Sequence, residues 1–323
     1  MKDKQLGRTG VRVSQLCFGT MSFGGDADAE EAGRMFSACR DAGINFFDCA
    51  NVYSDGAAET ILGKLIKGNR DELVITSKCF GAMGGDSKAR GASRRHILRS
   101  VEDSLKRLGT DRLDVLFMHH WDPVVPLEET LRALEQLVAS GKVLYLGASN
   151  YAAWQIARGL GISERNGWPR FDVLQPMYSL IKRQAEVEIF PLALAEELGV
   201  ISYSAVAAGL LSGKYGRDRR PEVGRVVSND KYATRYSEEW FLETAEQFTS
   251  LADEIGVHPV SLAVAWAGAH PAVTSPIFGA RNVNQLQPSL ASVDVEMTPE
   301  LYARIAALSR TPPPATDRLE EQQ

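Results

Sequence analysis

Short apolar runs alternate with longer amphipathic segments along most of the chain. Runs rich in β-branched and aromatic residues are typical of buried strands, and apolar positions that recur about every 3.6 residues are typical of helices. The pattern therefore predicts strands joined by helices. The predicted strands cover residues 15–18, 44–47, 73–76, 113–118, 143–148, 171–175, 200–203 and 274–278, and the predicted helices cover residues 28–41, 57–66, 93–108, 127–139, 151–159, 184–198, 238–254 and 259–267.

The order of these elements favours a closed barrel. Strands that alternate with helices form parallel sheets, and right-handed crossovers wind eight such units into a barrel. An open doubly wound sheet is the alternative, but no complete glycine fingerprint for a dinucleotide follows any predicted strand. Gly159 and Gly161 come nearest to that fingerprint, and Glu164 occupies the place of the third glycine.

Both ends of the chain are predicted to lie outside this repeat. Turn-forming residues between Leu6 and Val11 separate two small apolar patches, which predicts a short β-hairpin. Prolines followed by charged and polar residues predict a disordered tail at residues 311–323. Left-handed helix caps are expected at Gly43, Gly109, Gly141 and Gly199. We therefore predict an α/β fold, a (β/α)8 TIM barrel with a short N-terminal β-hairpin, as a single domain over residues 1–310.

Composition narrows the class of protein further. The 323 residues carry 36 Lys and Arg against 41 Asp and Glu, a net charge of −5, which predicts no binding to nucleic acid. The first residues lack the apolar segment of a secretion signal, and no apolar run approaches the roughly 18 residues of a membrane span. We expect a cytoplasmic protein with reduced thiols at Cys17, Cys39, Cys49 and Cys79. The composition does not determine the oligomeric state.

Polar side chains follow the second, third and fourth predicted strands. Asp48 and then Tyr53 follow the second strand, Lys78 follows the third, and His119 follows the fourth. In an α/β barrel the carboxyl ends of the strands surround one mouth, so these side chains should lie close together. Each residue alone has an ordinary explanation as a cap, a packing residue or a solvated cation. Together they indicate an acid and base constellation, which four independent accidents explain poorly.

These residue types suit proton transfer to a carbonyl oxygen. A phenol with an ordinary pKa of about 10 is a poor proton donor at neutral pH unless its phenolate is stabilised. The Lys78 ammonium would favour the phenolate of Tyr53, and Asp48 would hold that ammonium in place. His119 would donate a hydrogen bond to the oxygen on which negative charge develops.

The tetrad, in its order and spacing, resembles the catalytic tetrad of the aldo-keto reductases, and the resemblance runs from Lys4 to Ala291. It implies that the catalytic residues are Asp48, Tyr53, Lys78 and His119. It implies an oxidoreductase that transfers a hydride from NADPH to an aldehyde or ketone and forms an alcohol. NADPH would bind in an extended form without a Rossmann unit, and the partner would be a small-molecule carbonyl substrate.

Further motifs are similar to the family's cofactor site. At the nicotinamide end the resemblance places Gly19, Thr20, Met21, Asp48, Ser149, Asn150 and Gln175, with Tyr203 as the stacking ring. The segment from Ser204 to Lys214, which includes Val206 and Gly209, resembles the pyrophosphate loop. At the adenosine 2′-phosphate the resemblance places Gly279, Arg281 and Gln285. A guanidinium is well suited to a phosphate dianion, so Arg281 is the expected charge partner.

Two alternatives to a reductase stay open. A lysine at a barrel strand end can form a Schiff base, which would make Lys78 the nucleophile of an aldolase, although Asp48 would keep its amine protonated. A non-enzymatic nucleotide-sensing subunit similar to the potassium-channel β-subunits would use the same barrel. No metal site is expected at His119, His120 and Asp122, because adjacent strand residues point to opposite faces.

Overall fold

The strands form a hairpin and a parallel sheet. The computed structural model describes residues 1–84, 88–316, 318 and 320. Within these residues the chain begins with the antiparallel pair β1 (Asp3–Gln5) and β2 (Arg12–Ser14). The parallel strands are β3 (Cys17–Gly19), β4 (Phe46–Asp48), β5 (Val74–Cys79), β6 (Leu113–Met118), β7 (Val143–Ser149), β8 (Phe171–Gln175), β9 (Gly199–Val200) and β10 (Ile277–Phe278). In the sheet β10 pairs with β3, and each later strand pairs with the next one along the chain up to β9.

Backbone hydrogen bonds close this sheet into a barrel. The amide of Ile277 donates to the carbonyl of Ser202 at 2.7 Å, and the amide of Thr274 donates to the carbonyl of Val200 at 2.9 Å. These bonds join β9 and the residues after it to β10 and the residues before it, which are the two ends of the paired sheet. The predicted (β/α)8 barrel with an N-terminal hairpin is therefore confirmed.

The hairpin plugs the end of the barrel at which the strands begin. Leu6 and Val13 are fully buried and pack with inward-facing side chains of the strands, among them Cys17, Phe46 and Val115. The amide of Leu6 also donates to the Val11 carbonyl at 2.9 Å, which closes the turn of the hairpin. Because this end is filled, the opposite end, where the strands finish, is the one available for a site.

Helices cover the outside of the barrel. Those expected from the apolar pattern are α1 (Ala29–Asp41), α2 (Ala57–Leu65), α3 (Arg94–Leu108), α4 (Leu127–Ala139), α5 (Ala153–Asn166), α6 (Ile189–Ala195), α9 (Glu239–Glu254) and α10 (Pro259–Ala269). The pattern does not predict α7 (Arg225–Ser228), α8 (Asp230–Arg235), α11 (Val283–Leu290) or α12 (Pro299–Ala306). The predicted helix at 151–159 is too short, and the one at 184–198 is too long, since only a single turn precedes α6.

Three of the four expected glycine caps have left-handed backbone. Gly43, Gly109 and Gly141 have φ values of 83°, 62° and 73°. The expectation for Gly199 is wrong, because Glu197 takes the left-handed conformation there with φ 54°. Gly199 begins β9 instead, and a Cβ at this position would lie 2.7 Å from Leu6 Cδ1. Its small size therefore serves the close contact with the hairpin.

The tail predicted to be disordered lies partly outside the described residues. Residues 317, 319 and 321–323 are not described. The boundary of the predicted domain at residue 310 stays a prediction.

Candidate active site

The four polar side chains expected at the strand ends come together at the open end of the barrel. Asp48 is the last residue of β4, Lys78 is the penultimate residue of β5, and His119 directly follows β6. The sheet register sets Asp48 opposite Thr76, two positions before Lys78. Tyr53 reaches the same place from the loop after β4. Neighbouring strands thus deliver these groups to one site.

Lys78 is the centre of the cluster. Its Nζ donates to Asp48 Oδ2 at 2.6 Å, to the Cys49 carbonyl at 2.7 Å, and to Tyr53 Oη at 3.2 Å. Lys78 is 1% exposed and Asp48 is 3% exposed. A lysine buried this deeply is stable only with a paired carboxylate and further acceptors. Each ammonium proton has an acceptor, and one acceptor is the phenol oxygen of Tyr53.

Asp48 orients this lysine and is itself held on every side. Its Oδ1 accepts from Thr76 Oγ1 at 2.7 Å and from Gln175 Nε2 at 2.8 Å. Its carbonyl accepts from the amide and the hydroxyl of Thr20 at 2.9 Å and 3.0 Å. Sequence reasoning missed Thr76, although residues two apart on a strand share a face, which would have placed it beside Lys78.

The loop that carries Tyr53 has an unusual backbone. Ser54 and Asp55, directly after Tyr53, have φ values of 47° and 51°. Residues other than glycine seldom adopt this left-handed region, and they do so when the surrounding structure holds them there. On the other side of the loop, Asn51 Nδ2 donates to Ser100 Oγ on α3 at 3.0 Å. These features fix the direction from which the phenol enters the site.

The electrostatics keep Tyr53 protonated and Lys78 charged. Burial raises the pKa of Tyr53 to about 12, while the Lys78 ammonium acts to lower it and the Asp48 carboxylate adds to the rise. Lys78 therefore favours the phenolate, as expected, but burial outweighs its effect. Burial alone would lower the pKa of Lys78, yet Asp48 and Tyr53 raise it above its ordinary value. At neutral pH the site thus holds a neutral phenol beside a paired ammonium.

His119 is a neutral imidazole at this site. Burial lowers its pKa to about 2, and the positive charges of Lys78 and His120 act in the same direction. Its ring lies edge-on to the Tyr53 ring, with 6.2 Å between centroids and an interplanar angle of 80°. A neutral imidazole carries one N–H donor and one acceptor nitrogen. It can therefore donate a hydrogen bond near the phenol without bringing a charge.

The expectation that His119 and His120 diverge is wrong. Their rings stack with centroids 5.0 Å apart and an interplanar angle of 16°. The alternation of side chains holds only within a strand, and β6 ends at Met118, before either histidine. His120 also contacts Phe80 at 5.5 Å between ring centroids, and it is exposed whereas His119 is half-buried.

The residues expected at the nicotinamide end are linked through Asn150. Its Nδ2 donates to the His119 carbonyl at 2.9 Å and to Ser149 Oγ at 3.1 Å, and its Oδ1 accepts from Tyr203 Oη at 2.7 Å. Ser149 in turn donates to the Gln175 carbonyl at 3.0 Å. This chain of bonds connects the ends of β6, β7, β8 and β9. Asn150 has φ 58°, which directs its side chain into these bonds.

The segment from Ser204 to Lys214 turns sharply after β9. Ser204, Ala207 and Ala208 have φ values of 69°, 50° and 56°, and Gly209 has 102°. The amide of Gly209 donates to the Val206 carbonyl at 2.9 Å, and Val206 itself is half-buried. At the end of the segment Lys214 is exposed. The segment therefore combines a tightly turned backbone with an exposed cation at its end.

Gly19 and Gly279 lie where two strand ends come very close. A Cβ on Gly19 would be 2.8 Å from Ile277 Cγ2, and a Cβ on Gly279 would be 3.2 Å from the Gly19 carbonyl. Close packing of β3 against β10 therefore accounts for Gly19, where a side chain would clash, and favours a small residue at Gly279, independently of any ligand. Met21, which follows this turn, is 37% exposed and lies at the surface of the rim.

Arg281 already has a carboxylate partner. Its Nε lies 3.0 Å from Asp26 Oδ2, on the loop between β3 and α1. Its backbone amide donates to Gln285 Oε1 at 3.3 Å, and α11 begins two residues later behind the cap residue Asn282. Arg281 and Gln285 are therefore adjacent, as expected. Sequence reasoning missed Asp26, because the two partners stand near opposite ends of the chain.

Outside this cluster the cysteines are buried and unpaired. Burial raises the pKa of Cys49 to about 12 and that of Cys79 to about 12, so neither forms a reactive thiolate at neutral pH. In the part of the chain that the structure describes, no group of three or more His, Cys, Asp or Glu residues is placed to hold a metal ion. No helix of that part combines the length and the apolar character needed to cross a membrane.

Comparison with known protein families matches residues 15–310 to the Aldo/keto reductase family. The chain belongs to this family. It is 37% identical to a rice protein named "Probable voltage-gated potassium channel subunit beta", over 98% of this chain and 99% of the rice protein. It is 37% identical to "Uncharacterized oxidoreductase YrpG" of Bacillus subtilis, over 93% of this chain and 94% of that protein. It is 32% identical to the versiconal hemiacetal acetate reductase of Aspergillus parasiticus, over 93% and 94% of the two chains.

Family membership supports an oxidoreductase on this barrel. Two of these relatives carry the name of an oxidoreductase or a reductase, whereas the rice protein carries that of a channel subunit. The family generally uses a nicotinamide cofactor. The recognition made from the four strand-end residues is therefore confirmed at the level of the family.

Proposed function

We propose that this aldo/keto reductase transfers a hydride from NADPH to an aldehyde or ketone and forms an alcohol. The observation that carries the proposal is the hydrogen bond of 3.2 Å between Lys78 Nζ and Tyr53 Oη, beside the ion pair of 2.6 Å between Lys78 and Asp48. A buried phenol next to a paired ammonium is a proton donor whose anionic product is stabilised. A structural role alone would not require this arrangement at the barrel mouth.

Each side chain then has one task. Tyr53 holds a proton on Oη at neutral pH and gives it to the carbonyl oxygen of the substrate. Lys78 stabilises the phenolate that remains, because its ammonium is fixed by Asp48. His119 donates a hydrogen bond to the same carbonyl oxygen and orients it. When bound, the nicotinamide cofactor supplies the hydride.

The donors around the barrel mouth fit NADPH. Ser149, Asn150 and Gln175 offer amide and hydroxyl groups within one hydrogen-bonded chain next to the catalytic cluster. Tyr203 presents a half-buried ring on the same side. Lys214 is exposed at the end of the segment after β9 and Arg281 follows β10, and both can supply positive charge to the phosphates of a dinucleotide. Amide and hydroxyl groups beside the catalytic cluster, together with these cations, are the kinds of group that NADPH requires.

The experiment is a screen of the purified full chain for NADPH oxidation with aldehydes, ketones and quinones, with the product identified by mass spectrometry. We expect turnover with at least one carbonyl compound. The product should be an alcohol in which one carbon-bound hydrogen comes from the cofactor. NADPH binding without turnover on any carbonyl would argue against the proposal.

A second candidate is a nucleotide-sensing subunit, and the name of the rice relative favours it. Both candidates bind a nicotinamide nucleotide, so binding alone does not separate them. Turnover that depends on Tyr53 would support the enzyme. Tight nucleotide binding without carbonyl reduction would support the sensor, provided that Tyr53→Phe binds the nucleotide as tightly as wild type.

A further inference from the structure

Two carboxylates surround the place where the 2′-phosphate of the proposed cofactor would bind. Asp26 is ion-paired with Arg281 at 3.0 Å, and its side chain is 50% exposed. Glu31, on the first turn of α1, accepts from the amide of Val283 at 2.7 Å. Asp26 lies on the loop before α1 and Glu31 in the first turn of α1, and both reach across to the residues at the start of α11.

Glu31 binds an amide at the start of α11, a position that often binds anions. The first amides of a helix lack partners within the helix and carry partial positive charge. In α11 the amide of Val283 is taken by Glu31, and the amide of Gln285 is taken by the cap oxygen of Asn282 at 3.0 Å. Glu31 is also paired with Arg34, and its side chain is 15% exposed. This carboxylate is therefore part of the folded structure.

Asp26 is differently placed, because its side chain is 50% exposed and is paired with the guanidinium of Arg281, the group that would bind the phosphate. A dianionic phosphate at Arg281 must share that guanidinium with Asp26 or displace it. Two anions that share one guanidinium repel each other. The 2′-hydroxyl of NADH meets no such repulsion, and it can donate a hydrogen bond to a carboxylate, as ribose hydroxyls do in other dinucleotide sites.

We propose that Asp26 is a selectivity residue, an internal anion that competes with the 2′-phosphate for Arg281 and narrows the preference for NADPH over NADH. The inference rests on the proposed function and on the family resemblance, which places Arg281 at the adenosine 2′-phosphate. The chain should therefore bind both NADPH and NADH, with a modest preference for NADPH. The side chain of Asp26, and not the number of cations nearby, sets that ratio.

The test is the affinity of the full chain for NADPH and for NADH, measured by fluorescence titration in wild type and in Asp26→Asn. The exposed position of Asp26 limits its effect, so we expect the variant to bind NADPH about twofold to fivefold more tightly. NADH affinity should change by less than about twofold or weaken slightly. Glu30→Gln is the matched control, since it removes one charge from the same segment at an exposed position of α1. It should leave the ratio unchanged.

Two fragments locate the effect. Adenosine 2′,5′-bisphosphate should gain affinity in Asp26→Asn, whereas adenosine 5′-monophosphate should not. An unchanged ratio of NADPH to NADH would overturn the inference, and so would a loss of NADPH affinity, which would mean that Asp26 positions Arg281 for the phosphate. In both cases the proposed reductase would stand. If wild type bound neither cofactor, the proposed function would fail first.

Discussion

Neutralising the buried carboxylate at the centre of the site should leave a charge that the fold cannot accommodate. In Asp48→Asn, Lys78 Nζ loses its partner at 2.6 Å and keeps the Cys49 carbonyl and the Tyr53 phenol. Breaking one side of a buried ion pair typically costs about 3–5 kcal/mol. For a chain of 323 residues that cost corresponds to a fall in Tm of roughly 4–7 °C.

The pH dependence of this loss separates a buried charge from a general packing defect. Without Asp48, burial dominates, and the pKa of Lys78 in the folded variant should fall below its ordinary value of 10.5. The unfolded chain then binds more protons than the folded one between these two pKa values, so stability rises with pH in that range. The deficit relative to wild type should therefore be greatest at neutral pH and shrink as the pH approaches 10.5.

The assay is denaturant unfolding of wild type, Asp48→Asn, Lys78→Met and the double variant, at neutral and at alkaline pH. The double variant removes the unpaired ammonium, so its loss should be smaller than the sum of the two single losses. Additive losses with no dependence on pH would show that Asp48 contributes only shape and hydrogen bonds, and the electrostatic reasoning would be refuted.

Three further predictions concern the same site. His119 should contribute no inflection to the pH profile of kcat between about pH 5 and 8, because its pKa is lowered to about 2, and a break there that disappears in His119→Gln would contradict this. Borohydride added to enzyme and carbonyl substrate should leave no adduct on Lys78, since its raised pKa keeps the amine protonated, and a mass increase mapped to that residue would favour the aldolase. Arg281→Ala should weaken NADPH binding by roughly tenfold and NADH binding far less, as measured by titration with both cofactors. Equal losses for the two cofactors would mean that Arg281 contacts the adenine or stabilises the fold and does not bind the 2′-phosphate.

Periodicity predicted most of the barrel because the signal is local. The strands at 113–118 and 171–175 have the predicted bounds, since each is mainly apolar and buried at every position except its one aspartate. The last two strands are harder to locate, because β9 and β10 have only two residues each and the closing bonds come from residues beside them. Helix α11 contains Pro288, which hides it from a propensity argument.

In the candidate site, too, some features could be predicted from the sequence and others could not. Strand ends on a barrel share one mouth, so the positions of Asp48, Lys78 and His119 could be predicted from the order of the strands alone. Side-chain pairing across the chain could not. The bond between Asp26 and Arg281 and the stacking of His119 on His120 depend on loop geometry that no periodicity encodes.

The proton-donor role of Tyr53 is the central claim, and steady-state reduction of an accepted carbonyl by wild type and Tyr53→Phe tests it most directly. The variant removes one hydroxyl and keeps the ring. Loss of a general acid typically lowers the rate about 10²–10⁴-fold, and the Kd of NADPH in a parallel titration should stay within about twofold of wild type. A variant that retained more than about a tenth of the wild-type kcat would contradict the role assigned to Tyr53.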